Sequence, residues 1–244
     1  MTDRRKDRIY AENLDKVDDF VFDRRVAEVF PDMIKRSVPG YSTVIAMTGV
    51  LAGEYVQNNS RIYDLGCSLG ASSFAVLEGI KARECELLAI DNSEEMLKQA
   101  QSNLALQTTE TRVKLICEDV INTQINNASL VILNFTLQFI DLEQRLELLK
   151  KIHTGLRPGG ILILSEKIAF ADPVAQALQI EMHHAFKRAN GYNDLEISQK
   201  RSALEKVLIP ETLEQHYRRL KQAGFARADL WFQCFNFVSL VARK

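Results

Sequence analysis

An α/β fold with a mostly parallel central sheet is predicted by three observations. Short apolar runs alternate with amphipathic stretches from residue 61 to residue 166, the pattern of strands joined by crossover helices. The run Ala128-Ser-Leu-Val-Ile-Leu-Asn134 is nearly all apolar, as a strand covered on both faces must be. A glycine turn, Asp64-Leu-Gly-Cys-Ser-Leu-Gly70, joins the first such run to the first such helix. For 244 residues, one domain over 1–244 is the simplest reading, with a helical cap over 1–58 and a helical insertion over 172–206.

The elements follow in order. Residues 1–20 are polar and read as loose. Phe22 to Arg36 sets Phe22, Val26, Val29, Phe30, Met33 and Ile34 at helical spacing, and Ser37-Val-Pro-Gly40 ends that helix. A second helix runs from Tyr41 to about Val56 and stops at Asn58-Asn-Ser60. Both precede the first strand and suit a cover over a ligand cleft. Strand 61–65 leads into helix 71–81, and strand 86–90 into helix 93–106, where Ser93 is a good N-cap with Glu94 and Glu95 in the first turn. Strand 112–117 ends at Glu118-Asp119. Strand 128–134 is followed by helix 141–156, capped by Asp141, and Leu156-Arg-Pro-Gly-Gly160 turns the chain into strand 161–166. Such alternation implies right-handed crossovers. Residues 172–206 are helical and break the alternation. One more helix, Glu211 to Gln222, ends at Gly224; runs Ala228–Cys234 and Phe237–Ala242 fit an antiparallel edge hairpin.

Composition excludes several classes. A formal net charge of −1 argues against strong nucleic-acid binding through overall charge. Cys67, Cys85, Cys117 and Cys234 are scattered with no Cys-x-x-Cys pair, and three lie in or beside strand-like runs, so they read as reduced core residues of a cytosolic protein and not as a metal site or disulfide set. The opening Met1-Thr-Asp-Arg-Arg-Lys-Asp-Arg8 has no apolar region of a signal peptide, and no apolar run approaches membrane-spanning length. A cytoplasmic location is expected.

The glycine turn and the acid Asp91, which ends the run Leu87-Leu-Ala-Ile-Asp91, have the layout of a nucleoside site: glycines for close approach, a carboxylate for ribose hydroxyls. The dinucleotide fingerprint requires Gly at 66, 68 and 71; here Gly66, Ser68 and Ala71 stand there, which argues against a pyrophosphate-bearing cofactor. The pattern Asp64-x-Gly66-x-x-x-Gly70 instead resembles the first motif of class I S-adenosylmethionine (SAM)-dependent methyltransferases, and the helix–Leu-x-Pro-Gly-Gly–strand unit at 156–163 is typical of that Rossmann-like fold. Ligands of open α/β sheets sit at the carboxyl ends of the strands, which selects Gly66, Asp91, Asp119 and Asn134. Asp119 sits where the family places an acid for the adenine amino group, and Val120 can pack on the ring. Asn134-Phe-Thr-Leu-Gln lacks the proline pair of amino-directed DNA methyltransferases, and no cysteine stands where a pyrimidine-carbon methyltransferase needs its nucleophile.

His183 and His184 are adjacent on a helix and face apart, where a metal pair needs a spacing of three or four; both read as surface or partly packed. His153 and His216 are isolated. Lys187, Arg188, Lys200 and Arg201 lie in the insertion, mostly as a solvated basic face, with one or two free to receive a carboxylate.

Tyr63-Asp-Leu-Gly-Cys-Ser-Leu-Gly-Ala, Ile90-Asp-Asn-Ser, Lys187-Arg-Ala-Asn-Gly-Tyr, Glu196-Ile-Ser-Gln-Lys-Arg-Ser and Leu230-Trp-Phe-Gln-Cys-Phe-Asn-Phe together resemble the carboxy-S-adenosylmethionine synthase family over essentially the whole chain. The resemblance implies a reaction other than methyl transfer. SAM and prephenate are the substrates, prephenate aromatises to phenylpyruvate, and the released carbon dioxide joins the SAM methyl group to give carboxy-SAM. A second enzyme then uses carboxy-SAM to modify a wobble uridine of tRNA. The site must exclude water and supply a cation for the new carboxylate. By position, the family's SAM contacts fall on Tyr41, Gly66, Cys67, Ser68, Asp91, Asn92, Asp119, Val120, Asn134 and Arg201, with Arg201 also the catalytic partner of the added carboxylate. The resemblance further implies a homodimer, no metal and no direct nucleic-acid contact. Two other readings stay open on the glycine motif alone: a methyltransferase acting on a small molecule or tRNA, and a SAM-binding protein without catalysis.

Overall fold

The computed structural model describes residues 6–244. Its sheet has the order β3-β2-β1-β4-β5-β8-β7. Strands β1 (Arg61–Leu65), β2 (Glu86–Asp91), β3 (Arg112–Cys117), β4 (Ala128–Asn134) and β5 (Leu156–Ala169) run parallel. The closing hairpin of β7 (Arg227–Cys234) and β8 (Phe237–Arg243) is antiparallel and joins β5 through β8. A short β6 (Glu211–Thr212) pairs with the end of β5. The order reverses between β1 and β4, so their carboxyl ends open a crevice.

Two apolar layers sandwich the sheet. Ile62, Leu87, Leu130, Ile132 and Ile163 point to one face, under α2 (Tyr41–Tyr55) and α3 (Ala71–Gly79). Tyr63, Leu65, Ile90, Leu133 and Leu164 point to the other, under α5 (Leu142–Gly155) and α8 (Leu213–Gln222). Every residue of β4 from Ala128 to Leu133 is buried, which explains its nearly all-apolar run; fully burying each Leu or Ile is worth roughly 1.5–3 kcal/mol. Gly49 and Gly79 let α2 and α3 touch: a Cβ on either would collide with backbone of the facing helix.

A third cluster joins the N-terminal segment to the cap. Phe20, Val26, Val29 and Met33 pack with Met96 and Ala203, bringing α1 (Arg24–Ser37) and α4 (Glu94–Leu104) beside α7 (Asp194–Leu204). Capping sets the helix starts. Ser93 accepts the Met96 N–H, Asn193 and Glu196 form a capping box on α7, and Asp172 precedes Pro173 at the start of α6 (Pro173–Ala189).

Several expectations are corrected. The opening residues 1–5 lie outside the described residues, but 6–20 are not loose: Asp7 is 1% exposed and Phe20 packs in the core. The Leu156–Gly160 segment belongs to β5, with a register shift between Ala128 and Leu130 opposite it, so the turn is a bulge within a strand. Glu211 and Thr212 precede α8 as strand because they pair with Ile168 and Ala169. Asp141 occupies the N-cap of α5 without a side-chain cap bond. Cys117 is exposed because β3 is the sheet's edge; all four cysteines are free. Among the described residues no helix is long and apolar enough to cross a membrane.

Candidate active site

The turn after β1 is held by its neighbour strand. Gly66 N–H and Cys67 N–H both donate to the Ile90 carbonyl at 2.8 Å. Gly66 has φ 78°, and a Cβ there would collide with Thr136, so glycine is required twice over. Ser68 follows at φ 50° and Phe135, just past β4, at φ 62°. Non-glycine residues in the left-handed region carry strain, and these two stand at the ends of the strands that open the crevice.

Asp91 is tied into that turn. Its Oδ2 accepts the Ser68 N–H at 2.8 Å and its Oδ1 the Ser93 N–H at 2.9 Å. Each oxygen keeps a lone pair for a ligand hydroxyl. Burial raises its pKa against these two bonds. Asn92 is exposed beside it. Glu118 N–H donates to the Asp91 carbonyl, which sets the β3 exit alongside. There Asp119 is exposed, its Oδ1 accepting the Ile121 N–H at 2.9 Å, while Val120 is buried.

Asp64 lies beneath the turn, 2% exposed, and accepts the Ser73 hydroxyl at 2.6 Å. Burial pushes its pKa up to about 6, although the Ser73 bonds oppose this. Burial, and then Asp64 itself, raise the Cys67 thiol and the Tyr41 phenol. No cation pairs with Asp64 among the described residues, so the glycine turn encloses uncompensated negative charge.

Tyr41 opens α2, its ring 6.2 Å from that of Phe135. The Asn134 side chain points away into the sheet. Its Nδ2 donates to Ser72 Oγ at 2.9 Å and Thr48 Oγ1 at 3.3 Å, and its Oδ1 accepts the Ser165 hydroxyl at 2.6 Å. Ser165 has spent its proton, so Ser239 donates to it at 2.6 Å. This polar row crosses β4, β5 and β8 under α2 and α3, and the Asn134 carbonyl, at the end of β4, accepts the Thr136 hydroxyl at 3.5 Å.

Nine of the ten expected site residues thus gather around the ends of β1 to β4. Arg201 stands apart, exposed on α7, where its charge is felt by Lys167 and His184 beyond the end of β5. The basic face of the insertion is also corrected: Lys187 and Lys200 are 6% and 4% exposed, not solvated. His183 is buried as well, and its Nε2 lies 2.8 Å from the Ser37 carbonyl, so that nitrogen carries the proton and the ring is neutral. Among the described residues no group of three or more His, Cys, Asp or Glu can hold a metal.

A parallel sheet with this reversal, a glycine turn and an acid ending β2 define a class I SAM-dependent methyltransferase fold. The family described as a methyltransferase domain matches residues 62–160. Solved structures share the fold: human N-acetylserotonin methyltransferase in complex with SAM has a TM-score of 0.58 at 16% identity, covering 91% of this chain and 55% of that one. The cyclopropane synthase MmaA2 from Mycobacterium tuberculosis has a TM-score of 0.57 at 14% identity, covering 76% and 62%. Sequence relatives narrow the class. Carboxy-S-adenosyl-L-methionine synthases of Geobacter sp. (strain M21) and Geobacter metallireducens are 58% and 59% identical over 242 and 239 residues, covering 99% and 98% of both chains. That of Shewanella piezotolerans is 54% identical over 98% of both. The chain belongs to the carboxy-S-adenosyl-L-methionine synthase family; it is a transferase enzyme whose donor substrate is SAM.

Proposed function

We infer that the chain converts SAM and prephenate to carboxy-SAM and phenylpyruvate, for modification of the tRNA wobble uridine by another enzyme. Near-full-length identity to carboxy-SAM synthases carries this reading. Prephenate loses its ring carboxyl as carbon dioxide and its ring hydroxyl as it aromatises; the carbon dioxide replaces one proton of the SAM methyl group, and water is the third product.

The residues take the following roles. Asp91 accepts the ribose hydroxyls with the lone pairs left free by Ser68 and Ser93. Gly66, Cys67 and Ser68 bring backbone close to the donor, and Asn92 flanks the ribose. Asp119 accepts the adenine amino group and Val120 packs on the ring. The Asn134 carbonyl meets the donor's amino-acid end, since its side chain is engaged elsewhere. Asp64 places negative charge near the donor's cationic groups, a support that its lack of a basic partner favours. Tyr41, with Phe135, closes the cleft to water. Arg201 is the counter-ion of the new carboxylate, a role a methyl donor alone does not require.

The enzyme acts as a homodimer in the cytoplasm, with the N-terminal helices and the insertion parts of one SAM-binding unit and no direct contact with nucleic acid. The exposed apolar Val174 and Leu178 of α6 support pairing through the insertion; light scattering at micromolar concentration should give the dimer mass, and a monomer mass rejects it. For the activity, incubation with SAM and prephenate should yield carboxy-SAM and phenylpyruvate. Transfer of an unmodified methyl group to an acceptor, with no carboxy-SAM formed, would establish a methyltransferase instead.

A further inference from the structure

Three cations lie near the end of β5, none of them in an ion pair among the described residues, and the one carboxylate whose charge reaches Lys187, Asp7, is already engaged. Lys187 of α6 is 6% exposed, and its ammonium has neither a hydrogen bond nor an ion pair among the described residues. Lys167, the last-but-two residue of β5, is half-buried; its backbone N–H donates to Gln138, but its ammonium is likewise unpartnered. Arg201 is the third. The carboxylates nearby are already engaged. Asp32 faces Arg36 at 3.0 Å, and Asp7 accepts from Tyr192 and sits 3.5 Å from Lys200. Lys200 has a second partner in Ser37 Oγ at 3.0 Å. Burial, then the charges of Lys200 and Lys167, hold Lys187 down to about 7, and Arg201 adds to the effect of burial on Lys167. Buried cations without partners are costly unless a ligand supplies the anion.

A row of rings connects this cluster to the nucleoside end. Lys167 is paired in register with Phe237, whose ring lies 5.0 Å from His183 and 6.1 Å from Phe135; Phe135 in turn approaches Tyr41. His183 is neutral and adds no further positive charge to the cluster. Phe237 and His183 are 4% and 5% exposed and form the backing layer, while Phe135 and Tyr41, half-buried, offer ring surface between the ammonium groups and the donor site.

We propose that Lys187 and Lys167 together bind the pyruvyl carboxylate of prephenate, the one that survives in phenylpyruvate, and so position the cyclohexadiene ring along Phe135 and Tyr41. This rests on the reaction inferred above. Prephenate carries two carboxylates, and only one leaves. Clamping the departing carboxylate with cations would stabilise the ground state against decarboxylation, so the anchoring cations belong on the other. Arg201 then remains for the carboxylate formed on the donor. Lys187 and Lys167 are positioning residues for a dicarboxylate substrate.

The test is steady-state kinetics of Lys187→Met and Lys167→Met against prephenate at saturating SAM, with calorimetric SAM affinity and a thermal melt of each. KM for prephenate should rise at least about tenfold, as expected for loss of a charge-assisted hydrogen bond, while SAM affinity stays within about twofold. Lys187→Arg should recover part of the loss. Phenylpyruvate should inhibit the wild type competitively with prephenate and inhibit Lys187→Met far less, because it keeps only the carboxylate these lysines hold. The melting temperature should be unchanged or higher, since an uncompensated buried charge is removed. An unchanged KM, or phenylpyruvate inhibition as strong in the variants as in the wild type, overturns the proposal. So does a lowered melting temperature with SAM and prephenate affinity lost in parallel, the mark of a structural lysine. A wild type that makes no carboxy-SAM from prephenate overturns the reaction itself, and this assignment with it.

Discussion

At the ends of β1 and β2 the chain carries two carboxylates with no cation paired to them, Asp64 and Asp91; near the end of β5 it carries three cations outside any ion pair among the described residues, Lys167, Lys187 and Arg201. The first region is made of main-chain amides, a glycine and short acids fixed by the Ile90 and Ser68 hydrogen bonds. The second is made of long side chains, Lys187 and Lys167 packed on α6 and β5 and Arg201 exposed on α7. A site that only transfers the methyl group of a sulfonium donor needs the first region. A site that also receives an anionic co-substrate and leaves a carboxylate on the donor needs both, with the reacting carbon between them.

The largest effect that would break this division is expected from Asp91→Ala. Two ribose hydroxyls lose a charged acceptor at roughly 1.5–3 kcal/mol each, so SAM affinity should fall by about a hundredfold or more. Calorimetry that finds unchanged affinity would place the nucleoside elsewhere. Arg201→Ala comes next and probes the other region. It should weaken carboxy-SAM by about 10- to 100-fold and SAM much less, and Arg201→Lys should recover only part, because lysine keeps the charge but loses the fork. Equal losses for the two ligands would remove Arg201 from the cationic half.

A smaller effect sharpens the acidic half through pH. The folded pKa of Asp64, at about 6, lies above its unfolded value. The native protein without ligand therefore binds the extra proton between about pH 4 and 6, and its stability falls as pH rises through that window. A cationic donor favours the ionised form, so SAM affinity should rise with pH up to about 6 and then level, by at most about tenfold per unit. Asp64→Asn should flatten both profiles; profiles identical to the wild type's would assign them to another group. The smallest effect is expected from Ser93→Ala. Ser93 caps α4 and donates to the Phe22 carbonyl, so its loss should cost about 1 kcal/mol in denaturant unfolding without changing KM for prephenate.

The same division governs what could be read in the sequence. β1 and β4 have the bounds their apolar runs suggest, because strands stacked between helix layers need apolar residues on both faces, and β3, half-buried at the sheet's edge, keeps its expected bounds as well. Gly66 and Asp91 were legible because turn geometry and strand ends constrain residue type locally. The cationic half was legible only in part. Lys187 and Lys200 read as solvated because a basic residue on a helix gives no sign of what packs against it, and here the covering groups, Asp7 and Tyr192, come from segments far from each other in the chain. The β5 bulge and β6 were hidden for a related reason: Pro158 and the glycines announce a turn, while strand pairing with Ala128 and with Ile168 is a tertiary matter. Asp64 and Asn134 stood out in the sequence by motif and strand end, but the burial of Asp64 without a cation and the Ser165 and Ser239 partners of Asn134 carry no local signal.

The central claim is that the donor site is completed by a cation that recognises a carboxylated methyl group. Mass spectrometry of the nucleoside that co-purifies with the wild-type protein tests it most directly. The account predicts carboxy-SAM, heavier than SAM by one carbon dioxide, in excess over SAM, with that excess lost in Arg201→Ala. SAM or S-adenosylhomocysteine alone from the wild type, with the Arg201→Ala protein giving the same ligand in the same yield, would contradict it.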